Sequence, residues 1–584
     1  MARRTVLNQE LKERHVNMMA FTSTIGFGLF LKAGTVIYLA GPGLGTVSMF
    51  VSCTIMWSVI AAIGEMTALF PVQGPLFEFP CRFLDEGVGF AVGWMAWFAW
   101  VATIAAELVA VANLFTFGFP EQYLRDVGYP EATLAWATKD DSPALWITIF
   151  LAVILAVNFL PVGYYGELEY VFGCAKMIFI IGLIMMNIIL SGMQKVQVFS
   201  GGDHFWTWDR PYSFASDGIS VRGRTKITGS IGQFLAFWQA LTAVCWSLVG
   251  FETIGVTAAE NRDLERWETM RLASKKLSIR ITTLYTLATF AASLNVPMDD
   301  PQLLSIATDA HTSGQHSIFV IAAVRNHLRG WPSFFNGFFI FSALTSAVNA
   351  VYISSRLLHA LASIPEVWPL WAQTFRRRLE RTSSHGTPMY TVTLSWLFGL
   401  LAFLATKTYP AEILSRITTN ATVSFFIVYS VVAASFIPFY HRIKDASEDQ
   451  ALENRDAYDR DDEQYPYRTH GQLFRSWYGT IFCTLILLFS GWRSFFSPFS
   501  TPDFIVSYIG IVVFFVIIAY YHIRTDGISP LKWRRNACLQ IQRPPPKIVV
   551  AGRRRGTLQL PNEKKMFAIE NLEAVAGWLW CWIR

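Results

Sequence analysis

Charge is what this sequence has least of. Asp, Glu, Lys and Arg make up 15% of its 584 residues, against about a quarter in a soluble globular domain. That scarcity argues against a chain wrapped in solvated surface. A disulfide or zinc framework is also missing, because the seven cysteines (Cys53, Cys81, Cys174, Cys245, Cys483, Cys538 and Cys581) fall mostly inside apolar blocks and form no CxxC pair. There is no glycine-rich loop followed by Lys-Ser/Thr and no serine or cysteine triad signature, so neither an ATP-driven pump nor a membrane hydrolase is indicated. The net charge of +6 is spread over loops and tails rather than gathered in a patch, which gives nucleic acid no docking face. No cofactor and no metal site is expected. Residues 1–16 are polar and basic rather than the short apolar run of a cleavable signal peptide.

What is present instead is apolar residue in long blocks, 53% of the chain. Blocks of about twenty, each able to cross a hydrocarbon core of about 30 Å, recur along most of the length. They predict an all-α polytopic membrane protein with spans near 17–40, 44–70, 89–117, 144–161, 168–191, 231–258, 278–297, 333–362, 389–406, 411–438, 473–492 and 503–523. The lipid bilayer is therefore an expected partner. The flanking charges set its orientation. Arg3, Arg4, Lys12 and Arg14 precede the first span, Arg262, Arg266, Arg271, Lys275 and Lys276 follow the sixth, and Arg376–Arg378 with Arg381 follow the eighth. The positive-inside rule makes these loops and both termini cytoplasmic. The acidic loop at 118–143 agrees; the longer outer loop at 192–229, with Lys195, Arg210, Arg222, Arg224 and Lys226, agrees less well. Three regions follow: a cytoplasmic segment 1–16, a transmembrane domain 17–523 and a basic cytoplasmic tail 524–584 with the charge to meet anionic lipid. His204, His311 and His316 read as surface residues of the outer loops.

One stretch does not suit a continuous helix: Ser23-Thr24-Ile25-Gly26-Phe27-Gly28-Leu29-Phe30, in the first span. Glycines preceded by hydroxyl side chains weaken a helix, and broken backbone in a bilayer survives only where protein buries it or where it lines a watery cavity. Close helix packing also favours small residues. The stretch returns as Ser247-Leu248-Val249-Gly250-Phe251 in the sixth span. Interrupted helices at matching places in two halves point to a transporter site at an inverted repeat, where half-helix ends offer N–H groups to a carboxylate and carbonyls to a cation. A zwitterion satisfies both.

Charges buried in spans are costly and so suspect. Glu107 lies deep in the third span, Lys176 in the fifth, and Glu252 just after the second break. Lys176 could stand where a cation would otherwise bridge the broken helices, and Glu107 and Glu252 could relay protons; fixed ion pairs are the alternative for all three. Glu65 and Glu167, near the inner ends of their spans, leave a gate, a capping contact and a transport role equally open.

In combination these residues resemble the fungal amino-acid permeases of the amino acid–polyamine–organocation (APC) superfamily. The likeness runs from about Leu11 to Tyr520, through Leu11-Lys12-Glu13-Arg14-His15, Thr24–Phe30, Gly64-Glu65-Met66, Gly89–Trp94, Gly166–Tyr170 with Lys176, Gly250-Phe251-Glu252, Asn349 with Ser354-Ser355-Arg356, and His385–Pro388. The resemblance implies about twelve helices in a five-plus-five inverted repeat with discontinuous first and sixth helices. It also implies uptake of amino acids by proton symport, at the plasma membrane. By position, it places the substrate carboxylate against the backbone around Ser23, Thr24, Gly26, Phe27 and Gly28. The α-ammonium falls to carbonyls around Ser247 and Gly250, beside Phe251. Proton coupling falls to Lys176, Glu107 and Glu252. The resemblance departs at Phe27, where similar members carry a small or hydroxyl residue, and at Phe251, where they carry a threonine. Both changes add bulk beside the expected pocket. A non-transporting amino-acid sensor, and a carrier of a related amine such as choline or γ-aminobutyrate, are alternatives on the same fold. The short segment before the first span favours transport over sensing.

Overall fold

The computed structural model describes residues 11–527 apart from 71, 73, 198–213, 222–224, 259–267, 308–312, 365–367, 384–385, 407–409, 450–457, 463–464, 466, 470 and 497. Residues 1–10 of the expected N-terminal segment and 528–584 of the expected tail lie outside the described residues, as do Arg262, Arg266, His204, His311 and His385.

The chain is almost wholly helical. The first span is two helices, α1 (Glu13–Thr24) and α2 (Phe27–Ala40), which meet at a bend of 42°. Gly41 then turns with φ +86°, a conformation that favours glycine, and Pro42 opens α3 (Pro42–Leu69), where its missing N–H costs no helix bond. A short α4 (Pro75–Phe83) leads to α5 (Glu86–Leu114), whose Asp85 cap accepts from Gly87 N at 2.8 Å and Val88 N at 3.1 Å. Next come α6 (Glu121–Val127), α7 (Pro143–Asn158) and α8 (Val162–Gln197). An antiparallel hairpin, β1 (Gly218–Val221) with β2 (Thr225–Thr228), pairs Gly218 with Thr228 and Val221 with Thr225. It is a small departure from the expected all-α chain, seated through Ile219 and Val221 on Ala236 of α9 (Gly229–Cys245).

The sixth span is α9, a single 3-10 turn at Trp246–Leu248, an irregular stretch, and α10 (Thr253–Ala258). Then follow α11 (Glu268–Ser293), α12 (Pro301–Leu304), α13 (Ile318–Arg325), α14 (Trp331–Ala362), α15 (Gln373–Leu379), α16 (Met389–Leu397), α17 (Pro410–Glu448), α18 (Gln472–Phe489) and α19 (Thr501–Asp526). Each of the expected spans falls on a helix or helix pair. Among the described residues nine helices are long and apolar enough to cross a membrane, ten with the bent pair. The two expected spans that fall short are α7, at 16 residues, and α11, whose first turns carry Arg271, Lys275 and Lys276.

Two groups of helices pack most closely. One joins α3 to α11, the other joins α5 to α14 and α17. The interrupted first and sixth spans lie between them, with α1 against α8, α10 and α14 and α2 against α9. His316 corrects the expectation of a surface histidine. It is buried, with its Nδ1 accepting the Ser313 N–H at 3.3 Å, because α13 folds back onto α2 and α14 rather than standing in an outer loop.

Candidate functional site

The two breaks touch, and each presents a glycine to the other's serine. A Cβ on Gly28 would stand 2.8 Å from Ser247 Cα, and one on Gly250 would stand 2.6 Å from the Ser23 carbonyl oxygen. Gly250 has φ +115°, so only a residue without Cβ holds that turn without strain. Ser23 Oγ donates to the Gly250 carbonyl at 2.9 Å and lies 2.9 Å from Thr253 Oγ1, while Thr253 Oγ1 itself donates to the same carbonyl at 2.6 Å. Thr24 turns its hydroxyl back to the Ala20 carbonyl at 2.8 Å, and its own carbonyl accepts the Tyr285 hydroxyl at 2.9 Å.

The C-terminal end of α1 holds a cation. A helix end leaves carbonyls without intrahelical donors, and the Lys176 ammonium of α8 donates to Thr22 O at 2.9 Å, Ile25 O at 2.5 Å and, across the gap, Ser342 O of α14 at 3.1 Å. Ser342 Oγ adds a bond to Ile25 O at 3.0 Å. The side chain is fully buried, and the acids nearest in charge are Glu169 and Glu107. All three acceptors are backbone carbonyl oxygens, two of them at the end of α1, an arrangement that would otherwise coordinate a hard cation.

The N-terminal end of α2 holds a carboxyl group. The Phe27 N–H donates to Glu107 Oε2 at 3.3 Å, and Ser346 Oγ donates to Glu107 Oε1 at 2.9 Å. A Cβ on Gly26 would fall 2.0 Å from Glu107 Oε1, so the carboxylate occupies the space that Gly26 leaves. A helix N-terminus leaves N–H groups without intrahelical acceptors, and here the acceptor is supplied by α5. The Phe27 ring is buried against Trp246, with centroids 6.0 Å apart.

At the second break Glu252 folds back on its own turn. Its Oε2 accepts Gly250 N–H at 3.2 Å and the Tyr429 hydroxyl at 2.8 Å, while its Oε1 has no hydrogen-bond partner. Trp100 lies beside this carboxylate, and its indole N–H is likewise buried without a partner, as is Ser247 Oγ on the facing turn. Phe251 packs on Tyr429 at 4.8 Å between centroids. Buried polar groups are paired as a rule; Glu252 Oε1, the Trp100 N–H and Ser247 Oγ are exceptions around one break, the first two near enough to interact with each other.

This geometry has a family. The amino acid permease family model matches residues 15–530. The chain belongs to the amino acid permease family. The permease is 30% identical over 515 residues to an uncharacterised amino-acid permease of Schizosaccharomyces pombe, 88% of each chain. It is 27% identical to a lysine/arginine permease of Candida albicans over 88% of this chain and 80% of the relative, and 27% identical to a proline-specific permease of Emericella nidulans over 89% and 86%. Its fold is similar to that of a manganese transporter from Eremococcus coleocola, solved as a histidine-to-alanine variant, with a TM-score of 0.50 at 13% identity over 89% of this chain and 98% of that one. The permease is thus an integral membrane transporter of amino acids on the APC fold, and not an enzyme.

In the permease the residues singled out from sequence converge: Ser23, Thr24, Gly26, Phe27 and Gly28 meet Ser247, Gly250 and Phe251 across the crossing, with Lys176, Glu107 and Glu252 around it. Two of the groups expected to meet substrate are already engaged. The Phe27 amide is taken by Glu107, and the Gly250 carbonyl accepts from Ser23 and Thr253. Sequence reasoning assigned none of Trp100, Tyr429 and Glu169 to the site. Glu169 is fully buried, with Oε2 accepting from Asn349 Nδ2 at 2.6 Å and Oε1 unpaired. Its place in a charged Gly166-Glu167-Leu168-Glu169 cluster disguised it. Glu167, by contrast, is half exposed and pairs with Arg14, Lys12 and His15 before α1 is fully under way, a contact at the end of the bundle.

Proposed function

We propose that the permease carries amino acids into the cell by proton symport with alternating access. The observation that supports this most is the Lys176 ammonium held at the first break by two helix-end carbonyls, Thr22 O and Ile25 O, and by Ser342 O of α14. A fixed internal cation there removes the need for a bound metal ion and leaves proton movement among Lys176, Glu107 and Glu252 as the coupled event. The substrate lies between the breaks. Its carboxylate meets the first turn of α2 at Gly26–Gly28, the Ser23–Thr24 turn frames it, and its α-ammonium meets the Ser247–Gly250 turn, with Phe27 and Phe251 bounding the side chain. Because Glu107 takes the Phe27 amide in this state, substrate binding and the state of Glu107 are linked: a carboxylate that reaches this amide displaces an acid already there.

In this reading residues 17–523 are the transmembrane domain, 1–16 and 524–584 are cytoplasmic, and the membrane is the plasma membrane. The experiment is uptake of labelled amino acids by reconstituted permease at two external pH values, with and without an uncoupler. Uptake that rises at acid pH and collapses with the uncoupler is expected. Uptake indifferent to both refutes symport, and ligand binding without flux identifies a sensor instead.

A further inference from the structure

Glu65 takes no part in the crossing, yet it is the most heavily bonded carboxylate among the described residues. It lies near the end of α3, fully buried. Arg460 grips it with Nε on Oε1 at 2.8 Å and Nη2 on Oε2 at 3.2 Å. The Tyr465 hydroxyl donates to Oε1 at 3.0 Å, and Thr469 gives both its backbone N–H, at 3.1 Å, and its hydroxyl, at 2.7 Å, to Oε2. Every one of these donors comes from the connection between α17 and α18. Burial, and next the charge of Glu65, push the Tyr465 phenol well above its ordinary range, so it stays a donor.

The same connection is inserted into the bundle. Tyr458, Tyr465 and Tyr467 are buried. The Tyr467 ring comes within 3.4 Å of where a Cβ on Gly64 would stand, and Ser274 of α11 within 2.8 Å of the same point. The Arg460 guanidinium also lies 5.0 Å over the Tyr440 ring of α17. One side chain therefore bridges α3, which packs chiefly on α11, to α17, which packs chiefly on α5. These are the two groups that flank the broken spans, and alternating access moves one group against the other.

A buried carboxylate is tolerable only while its donors stay in place. If the end of α3 moves away from α17, Glu65 must exchange protein donors for water, which is cheap only if water enters at that end. Closed and bonded, or open and hydrated, are thus the two favourable arrangements.

We propose that Arg460, Tyr465 and Thr469 form a latch on Glu65 that holds the inner end of the permease shut, and that Arg460 leaves Glu65 in each transport cycle. The latch rests on the alternating-access reading and on the orientation given above. A static staple joining α3 to the connection is the competing explanation.

A reporter cysteine under the latch separates them. In purified permease, Ser274→Cys is labelled with a maleimide without substrate, against the same protein lacking that change, alone and combined with Arg460→Gln or Arg460→Lys. Release of the latch raises the labelling rate about tenfold in Arg460→Gln, the change expected when one state of a two-state end gains that factor in population. Arg460→Lys, which keeps the charge, returns most of the protection. In proteoliposomes Arg460→Gln raises KM for uptake from the outer face about threefold while turnover per folded molecule is kept, because fewer molecules rest outward-facing. Tyr465→Phe removes one donor and leaves Arg460; if Arg460→Gln fails to fold, a rise of about threefold in labelling of Tyr465→Phe carries the test. Parental labelling rates in the variants, with uptake lowered only in proportion to folded protein, overturn the latch. Raised labelling in a permease that moves no amino acid sustains closure of the inner end by Arg460 but overturns its release in a transport cycle, together with the transport reading.

Discussion

Removing the Lys176 ammonium by Lys176→Met tests the cation at the first break. The substitution keeps the length of the side chain and deletes the donors to Thr22 O, Ile25 O and Ser342 O. Ile25 O retains Ser342 Oγ and Ser342 O retains Thr345 Oγ1, each at 3.0 Å, so one carbonyl, Thr22 O, is orphaned. A buried acceptor without a partner costs about 1–3 kcal/mol, which is the nominal loss. Two effects pull toward the low end. A chain unfolded within the membrane also finds partners for its polar groups, and the buried charge itself no longer needs to be compensated. The expected loss is about 1 kcal/mol, read as a lower melting temperature of the purified permease. Sodium at high concentration should restore part of that loss in the variant and none in the parent, because oxygens that held an ammonium suit a hard cation. In proteoliposomes with an imposed pH gradient, Lys176→Met should bind amino acid but fail to accumulate it. Parental accumulation together with an unchanged melting temperature would remove Lys176 from both the structure of the break and the coupling.

Gly250→Ala places a Cβ 2.6 Å from the Ser23 carbonyl at a residue with φ +115°; strain of about 1–3 kcal/mol and parting of the two breaks should lower the yield of folded permease, measured by fluorescence-detected gel filtration. Ser247→Ala deletes a buried hydroxyl that has no partner. It should leave the stability, followed by thermal melting, within about 0.5 kcal/mol of the parent, yet raise KM about threefold to tenfold if that hydroxyl meets substrate. Phe27→Ser removes a ring buried against Trp246; a stability loss of about 3–5 kcal/mol is expected, with a shift toward bulkier side chains in a competition panel of unlabelled amino acids.

Most of the fold was legible because a bilayer imposes one rule on every span: about twenty apolar residues with their backbone satisfied internally. The rule blurs where protein rather than lipid surrounds a helix. In α11 the basic residues Arg271, Lys275 and Lys276 sit on the helix itself, so its first turns do not look apolar although Leu277, Ile281 and Leu284 beyond them are buried. The hairpin at Gly218–Thr228 escaped because a lone pair of strands is marginal; it stands here on Ala236, a contact between segments that no local pattern encodes. His316 escaped for the same reason. Its neighbours in sequence are polar, and its burial comes from α13 folding back over α2.

The breaks themselves were legible because glycine beside a hydroxyl residue is an oddity inside a span. What fills them was not. Four glutamates are fully or almost fully buried in the bundle, but their donors differ. Glu65 has both oxygens gripped by Arg460, Tyr465 and Thr469. Glu107 has one donor on each oxygen. Glu169 and Glu252 each keep one oxygen without a partner. The five hydrogen bonds to Glu65 all come from one connection, so that carboxylate is fastened, and lets go, as a unit. Glu107 is bonded through both oxygens, but to two different helices, by the Phe27 amide and the Ser346 hydroxyl. Glu169 and Glu252 are each bonded through one oxygen. A group held from one segment moves with that segment, whereas one held from two is pulled apart when they separate, and that difference sets the acid that fastens the end of α3 apart from those at the crossing.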